Sequence, residues 1–293
     1  MNIEMLDTFL DLLETRNFNR TADNLHITQS TVSARVRGLE EQLGVRLFVR
    51  GRGGAELMPE GQKFESYAVN IRLGWNLARQ ELAMPSGYHG QLRVAMQVSL
   101  WDKLITDWVA ELRRTLSDTA VHVESDYSRA MIDEIVFGNL DVAVIYTPEY
   151  RPELAVDYLF DERFSMVTTT PCALEDVLPE SYLFVASSPY FKARHGELLP
   201  QLQHAPLSMG LSNMTIAYLR QHPGIAYLPE RMSRPLTDSG DLFPVEGAPI
   251  IDQPVYATYV SRHRYRPNVK HALALLSALD VNAPGIPESP GDP

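Results

Sequence analysis

In the N-terminal part of the chain, apolar residues return every third or fourth position, the spacing that gathers them on one face of a helix. Met5, Leu6, Phe9, Leu12 and Leu13 predict a first helix, and Phe18 to Leu25 predicts a short second one with Asn19 as its cap. Ala22 is small enough to let a following helix cross closely. From Ile27 to Leu43 the apolar stripe is Val32, Val36, Leu39 and Leu43, and Thr28 stands where a hydroxyl would cap the first turn. The period then changes. Val45 to Arg50 and Ala55 to Met58 read as two short strands around Gly51-Arg52-Gly53-Gly54, a glycine-rich hairpin. Three helices followed by a hairpin make a winged helix-turn-helix.

After Pro59-Glu60-Gly61 a long helix is predicted to about Met84, with Phe64, Ala68, Ile71, Trp75, Ala78 and Leu82 spaced four, three, four, three and four. That is a heptad seam. A second copy of the same helix is the expected cover, giving a homodimer. Pro85 to Gly90 is a cluster of breakers and a natural boundary. Beyond it, strand and helix patterns alternate. Strands are predicted at Leu92–Met96, Val121–Glu124, Asp141–Tyr146 and Leu154–Phe160, with helices over Trp101–Leu116 and around Ala130–Phe137. The alternation restarts at Phe164–Thr168 and continues through Tyr182–Val185, Pro206–Met209, Gly224–Leu228 and Val255–Val260, with helices near Tyr190, over Ser212–His222 and over Asn268–Leu279. The expected class is therefore α/β behind an all-α-dominated winged helix-turn-helix, the second part being two lobes of mostly parallel sheet. The boundaries read as 1–58 for the winged domain and 59–88 for the linker helix and hinge. An effector-binding domain is expected over 89–293, with lobe I at 89–160 plus 263–280 and lobe II at 161–262. Four prolines and two glycines among residues 281–293 predict a disordered tail.

Composition narrows the function. A hydrophobic content of 45% over 293 residues suffices for two or three buried cores, and no run approaches the roughly 18 apolar residues of a spanning helix. The N-terminus is acidic and amphipathic, unlike a secretory signal, so a cytoplasmic location is expected and no membrane partner. One cysteine, Cys172, has no internal partner for a disulfide. The net charge of −11 argues against a protein that coats nucleic acid indiscriminately. Yet from Thr28 to Arg52 five arginines face only Glu40 and Glu41, while residues 59–293 carry 19 basic and 29 acidic groups. A small basic surface on an acidic body suits a selective binder of double-stranded DNA.

The third helix supplies the reading chemistry. Gln29, Ser30, Thr31, Ser33, Ala34, Arg35 and Arg37 lie off its apolar stripe, and Arg50 and Arg52 lie on the hairpin. An amide can pair with adenine, a guanidinium with guanine or phosphate, and a small methyl with thymine. A dimer doubles the helix, so the operator is expected to be an inverted repeat.

The segment FLDLLETRNFNRTADNLHITQSTVSARVRGLEEQLGVRLFVR resembles the DNA-binding part of the LysR-type transcriptional regulators, and the likeness extends more weakly over nearly the whole chain. Two departures stand out. Thr21-Ala22 replaces a pair of small residues, and Met58 replaces a threonine that would cap the long helix. The resemblance implies a two-lobed, periplasmic-binding-protein-like effector domain, a small-molecule effector, a last helix packed back on lobe I, and a hydroxyl residue just after the first strand, here Ser99, for the effector. It also implies the homodimer; pairing of dimers into a homotetramer and a contact with RNA polymerase are further expectations, the sequence leaving dimer or tetramer open.

Strand exits that lead into hydroxyl-capped helices favour an anionic metabolite. Ser99, Ser128, Ser188 and Ser212 occupy such exits; Gln97, Tyr127, Tyr146, Thr147 and Met209 stand beside them. The expected effector residues are Gln97, Ser99, Tyr127, Ser128, Tyr146, Thr147, Ser188 and Met209. No catalytic constellation, metal-ligand spacing or cofactor motif is visible. The rival reading is a small-molecule binding protein or enzyme with an N-terminal association module; it predicts a signal peptide or a catalytic cluster.

Overall fold

The computed structural model describes residues 1–51, 54–83, 87–100 and 103–279; Arg52, Trp101 and the expected disordered tail lie outside them. The chain forms two compact units, Met1–Met84 with Val136–Asn139, and Pro85–Ile135 with Leu140–Pro293.

The first unit runs α1 (Ile3–Thr15), α2 (Phe18–Asn24), α3 (Gln29–Leu43), β1 (Phe48–Gly51), β2 (Gly54–Leu57) and α4 (Pro59–Leu82). Its core is Leu6, Phe9, Leu12, Val36, Leu39, Leu47, Phe48, Ala55 and Ala68. Asn17, rather than the expected Asn19, caps α2 by accepting from the backbone of Asn19 and Arg20. The cap stands two residues earlier because Phe18 is already helical and packs against the core. Thr28 caps α3 as its position predicts, accepting from Thr31 N. Val32, Val36 and Leu39 are buried, but Leu43 is exposed because α3 ends there and Gly44, at φ +70°, turns the chain away. The hairpin is anchored twice. Glu40 Oε1 accepts from Leu47 N at 2.7 Å and Phe48 N at 3.1 Å, and Ala55 N donates to Arg16 O at 2.7 Å. Gly54 makes that approach possible, since a Cβ there would collide with Arg16 O and its φ is +128°.

The expected seam of α4 divides. Phe64 and Ala68 pack into the core of their own unit, whereas Ile71, Trp75 and Leu82 are exposed, Leu82 at 88%. Met58 makes no side-chain cap, and Pro59 in the first turn needs none for its missing N–H.

The second unit runs β3 (Gly90–Gln97), α5 (Lys103–Thr115), β4 (Thr119–Asp126), α6 (Ser128–Val136), β5 (Val142–Ile145), β6 (Leu154–Thr168), β7 (Tyr182–Val185), α7 (Pro189–Leu198), β8 (Leu207–Met209), α8 (Ser212–Leu219), β9 (Ile225–Pro229), α9 (Glu230–Asp238), β10 (Phe243–Pro244), β11 (Ile251–Val260) and α10 (Pro267–Ser277). One sheet carries them in the order β4-β3-β5-β11-β6-β9-β7-β8, with β10 on β6. Parallel pairs at each end, β4-β3-β5 and β9-β7-β8, are joined by the antiparallel pair β11-β6. The two strands expected at 154–160 and 164–168 are one continuous strand, β6, which leaves one lobe and enters the other. Each lobe has its own core. Leu92, Val94, Trp108, Val142, Val144 and Tyr259 build the first, and Phe164, Tyr182, Phe191, Leu202 and Tyr227 belong to the second. α10 returns to the first, burying Val269, Ala272 and Leu276, and Trp108 Nε1 donates to Ala272 O at 3.3 Å.

Candidate functional site

On the first unit the candidate surface is the outer face of α3. Ser30, Ala34 and Arg37 are exposed there, and Gln29, Thr31 and Ser33 are half-buried. Thr28 Oγ1 lies 2.8 Å from the hydroxyls of both Ser30 and Thr31, so the first turn is a connected group of hydroxyls. Gln29 Nε2 donates to Ser33 Oγ at 3.0 Å, which joins two of the expected base readers one turn apart. Arg35 differs from the rest. Its guanidinium pairs with Glu4 of α1 at 2.8 Å, so it is held against the body of the unit. Arg52 lies outside the described residues, and for Arg50 the backbone pairing with Ala55 in the β1-β2 hairpin is what is described. A helix bearing short polar groups and one outward arginine has the width and the donors to enter a major groove.

On the second unit, strand exits from both lobes converge. β3 leads to Gln97 and Ser99, β4 to Tyr127 and Ser128, and β5 to Tyr146 and Thr147; opposite them stand Ser188 after β7, Met209 and Gly210 after β8, and Arg231 at the start of α9. Tyr127 Oη would lie 3.7 Å from a Cβ at Gly210, so the two walls approach across the opening. The floor is made by the joining strands, where Glu162 of β6 and Gln253 of β11 are register partners.

The expected residues of the first lobe are organised by one hydroxyl. Ser128 Oγ donates to Gln97 Oε1 at 2.8 Å and accepts from Tyr146 N at 3.2 Å and Thr147 N at 3.3 Å. Ser188 caps α7, accepting from Phe191 N at 2.9 Å, and bonds its own hydroxyl to Gln253 Oε1. Of the four serines expected at helix starts, Ser188 alone acts as a side-chain cap: Ser128 is already inside α6, Ser99 sits in a 3-10 turn, and Ser212 is the first helical residue of α8, behind Leu211. The hydroxyls of Ser99, Ser187 and Ser212 are buried without a hydrogen-bond partner; that of Ser99 lies beside the Tyr146 hydroxyl. Met209 Sδ accepts from Thr215 Oγ1 at 3.5 Å, which turns it toward its own lobe.

The floor carries a charged group that local sequence spacing did not single out. Arg231 Nε pairs with Glu162, the Tyr146 hydroxyl donates to the same carboxylate, and Arg231 Nη2 donates to Ser99 O at 2.9 Å. Only 2% of the Glu162 side chain and 9% of the Arg231 side chain are exposed. Burial pushes the carboxyl of Glu162 up to about 8, against the hydrogen bond from Tyr146, and the guanidinium of Arg231 down to about 9. Burial, and then the neighbouring carboxylate, push the Tyr146 phenol well above its ordinary value. Glu162 and Gln253 had a signal in the sequence. Glu162, Phe164 and Met166 occupy one face of β6, and Ile251, Gln253 and Val255 one face of β11, so each is a polar residue at an inward, period-two position. Arg231 had none, because only the tertiary fold brings α9 to that floor.

Comparison with known proteins completes the description. A family model described as the bacterial regulatory helix-turn-helix protein, lysR family, matches residues 3–62, and one described as the LysR substrate binding domain matches residues 85–280. The HTH-type transcriptional regulator HdfR of Yersinia pestis (strain Pestoides F) is 29% identical over 270 residues, covering 89% of this chain and 91% of the relative. Full-length OxyR from Pseudomonas aeruginosa superposes with a TM-score of 0.55 at 21% identity, over 96% of this chain and 99% of its own. ArgP from Mycobacterium tuberculosis does so with a TM-score of 0.57 at 18% identity, over 94% and 95%. At these identities the two structures speak for the fold.

Proposed function

The chain belongs to the LysR family of helix-turn-helix transcriptional regulators, and we propose that it binds an inverted-repeat operator as a homodimer and answers to a small metabolite held between the lobes of its second unit. The observation that carries the reading is the outer face of α3, where Ser30, Ala34 and Arg37 stand exposed beside the bonded pair Gln29 and Ser33. On this reading Gln29, Ser30, Thr31, Ser33, Ala34 and Arg37 face bases or nearby phosphates, and Arg50 and Arg52 reach the backbone from the wing. Arg35 keeps the helix seated and contributes charge.

The exposed half of the α4 seam, Ile71, Trp75, Ala78 and Leu82, is the proposed dimer contact, because an uncovered apolar stripe of this kind is satisfied by a second copy. Pairing of dimers into a tetramer, and a contact with RNA polymerase, belong to the same proposal. The effector occupies the cleft lined by Gln97, Ser99, Tyr127, Ser128, Tyr146, Thr147, Ser188 and Met209, over the floor of Glu162, Gln253 and Arg231. It acts by favouring one lobe arrangement, and shifts the DNA-bound population by no more than its differential affinity.

Selection of genomic fragments by the purified full-length protein at near-physiological salt tests the DNA reading. The recovered fragments are expected to share an inverted repeat. Recovery of fragments with no common sequence overturns it. For the effector, Ser99→Trp fills the cleft from the first wall; it is expected to abolish the response to any metabolite that alters operator binding while leaving binding without metabolite intact.

A further inference from the structure

The proposed effector cleft has an unusual floor. Two opposite charges, Arg231 and Glu162, are buried against each other, with Tyr146 on the carboxylate and the Ser99 carbonyl on the guanidinium. Separated alone, each would be a charge in a place that water does not reach, which a protein tolerates only with a partner. Any ligand that reaches the floor therefore has to leave both satisfied.

That requirement sorts ligands by class. A simple carboxylic acid can take Arg231, but it strands Glu162 and adds a second negative group beside it. A simple amine can take Glu162, but it strands Arg231. A neutral molecule leaves the pair closed and meets hydroxyls only. A molecule with an anionic and a cationic group a few bonds apart can replace one internal ion pair by two external ones, with every charge paired and the net buried charge still zero.

Resting on the effector reading above, we infer that the cleft takes an α-amino acid or a close zwitterionic analogue, with its carboxylate on Arg231 and its ammonium on Glu162. The surroundings fit both ends. Ser99 lies at the guanidinium through its carbonyl, and its buried hydroxyl lacks a partner that a ligand carboxylate would supply. The Tyr146 hydroxyl holds the Glu162 carboxylate in place, and Gln253 beside it adds an amide to the floor. Ser187 and Ser212, at the carboxyl ends of the second-lobe strands, contribute two more buried hydroxyls without partners. The anion expected from the serine-capped helices thus becomes one half of the ligand.

The test uses the full-length protein in a thermal-shift screen followed by calorimetry. The probes are the twenty common α-amino acids, the deaminated acid and the decarboxylated amine of each hit, and a second set of dicarboxylates, aromatic acids and sugars. At least one amino acid is expected to raise the melting temperature and bind saturably, with both of its single-charge analogues at least about tenfold weaker. Glu162→Gln should cost the amino acid about tenfold and strengthen the deaminated acid, which then strands no carboxylate; Arg231→Gln should likewise cost the amino acid about tenfold and strengthen the amine. The double variant Glu162→Gln/Arg231→Gln has no buried charge to strand, so it folds if either single variant does not, and it should bind none of the amino acids. Equal binding of acid and amino acid, or an unchanged amino-acid affinity in Glu162→Gln, overturns the inference. If only a member of the second set binds, and Ser99→Trp abolishes that binding, the zwitterion assignment fails while the effector cleft stands. If nothing in either set binds, both fail.

Discussion

Arg35, on the helix proposed to read DNA, is ion-paired with Glu4 of α1 at 2.8 Å. The pair ties the recognition helix to the helix behind it, and it lies at the edge of the unit, with the Glu4 side chain 58% exposed. Exposed pairs of this kind contribute about 0–1 kcal/mol. Glu4→Gln and Arg35→Ala are therefore expected to lower stability by less than about 1 kcal/mol each, and by a similar amount together as alone. Arg35→Ala should also weaken operator and scrambled duplexes equally, and less than Arg37→Ala does. Urea unfolding and DNA titrations check this; a selective loss on the operator would make Arg35 a base reader.

Gln29 and Ser33 are bonded to each other, so their contributions to recognition should be coupled. Each single change to Ala is expected to remove about 1–3 kcal/mol of discrimination between operator and scrambled DNA, and the double change clearly less than the sum. Additive losses in a double-mutant cycle would mean that the two act apart on the DNA.

The first part of the chain was legible because local signals and tertiary packing agree there. Val32, Val36 and Leu39 are buried as their spacing predicts, and Thr28 caps α3. The seam of α4 was only half legible, since periodicity reports that a face is apolar but not what covers it. Phe64 and Ala68 cover their own core, and Ile71 and Trp75 remain outside. In the second unit most strands and helices were legible, β10 and α9 being exceptions, and Gln97, Ser128 and Tyr146, expected at strand exits, are hydrogen-bonded neighbours there. The charged floor was not, because Glu162 and Arg231 are separated by most of a lobe in sequence and meet only after it has folded.

Ile71→Asp and Trp75→Asp place charges on the exposed half of that seam. In an isolated chain they cost little; between paired helices they bury unpaired carboxylates. Light scattering at micromolar concentration is expected to show the monomer mass for the double variant. An unchanged mass would place the principal dimer contact elsewhere.

His195 gives the second lobe an acid-sensitive point. Its ring is buried at 1% exposure between Phe184, Phe191 and Tyr227, and its Nε2 lies 2.8 Å from the Tyr182 hydroxyl. Burial pushes its pKa down from 6.5 to about 4. A depressed folded value means that the unfolded chain binds the proton first, so the stability from the neutral ring is fully present above about pH 6.5 and is lost as the pH falls toward 4. The loss should be on the order of 3 kcal/mol, and His195→Gln should remove that part of the pH dependence whatever its effect at neutral pH. Urea unfolding of both proteins at intervals across this range checks it; parallel curves would refute the assignment.

β6 and β11 are register partners from Ile251 and Phe164 at one end to Val260 and Leu154 at the other, with the single irregularity between Val255 and Tyr256. Two strands that stay hydrogen-bonded from lobe to lobe form a torsion bar rather than a loose tether. Twisting one lobe against the other cannot be absorbed evenly without breaking ladder bonds, so the strain gathers at the bulge, where the ladder is already interrupted. That pivot lies two residues from Gln253, beside the charged floor. A molecule wedged there works on the short arm of a lever, and a small displacement of Glu162 or Gln253 becomes a much larger swing at the far edges of the sheet, β4 and β8.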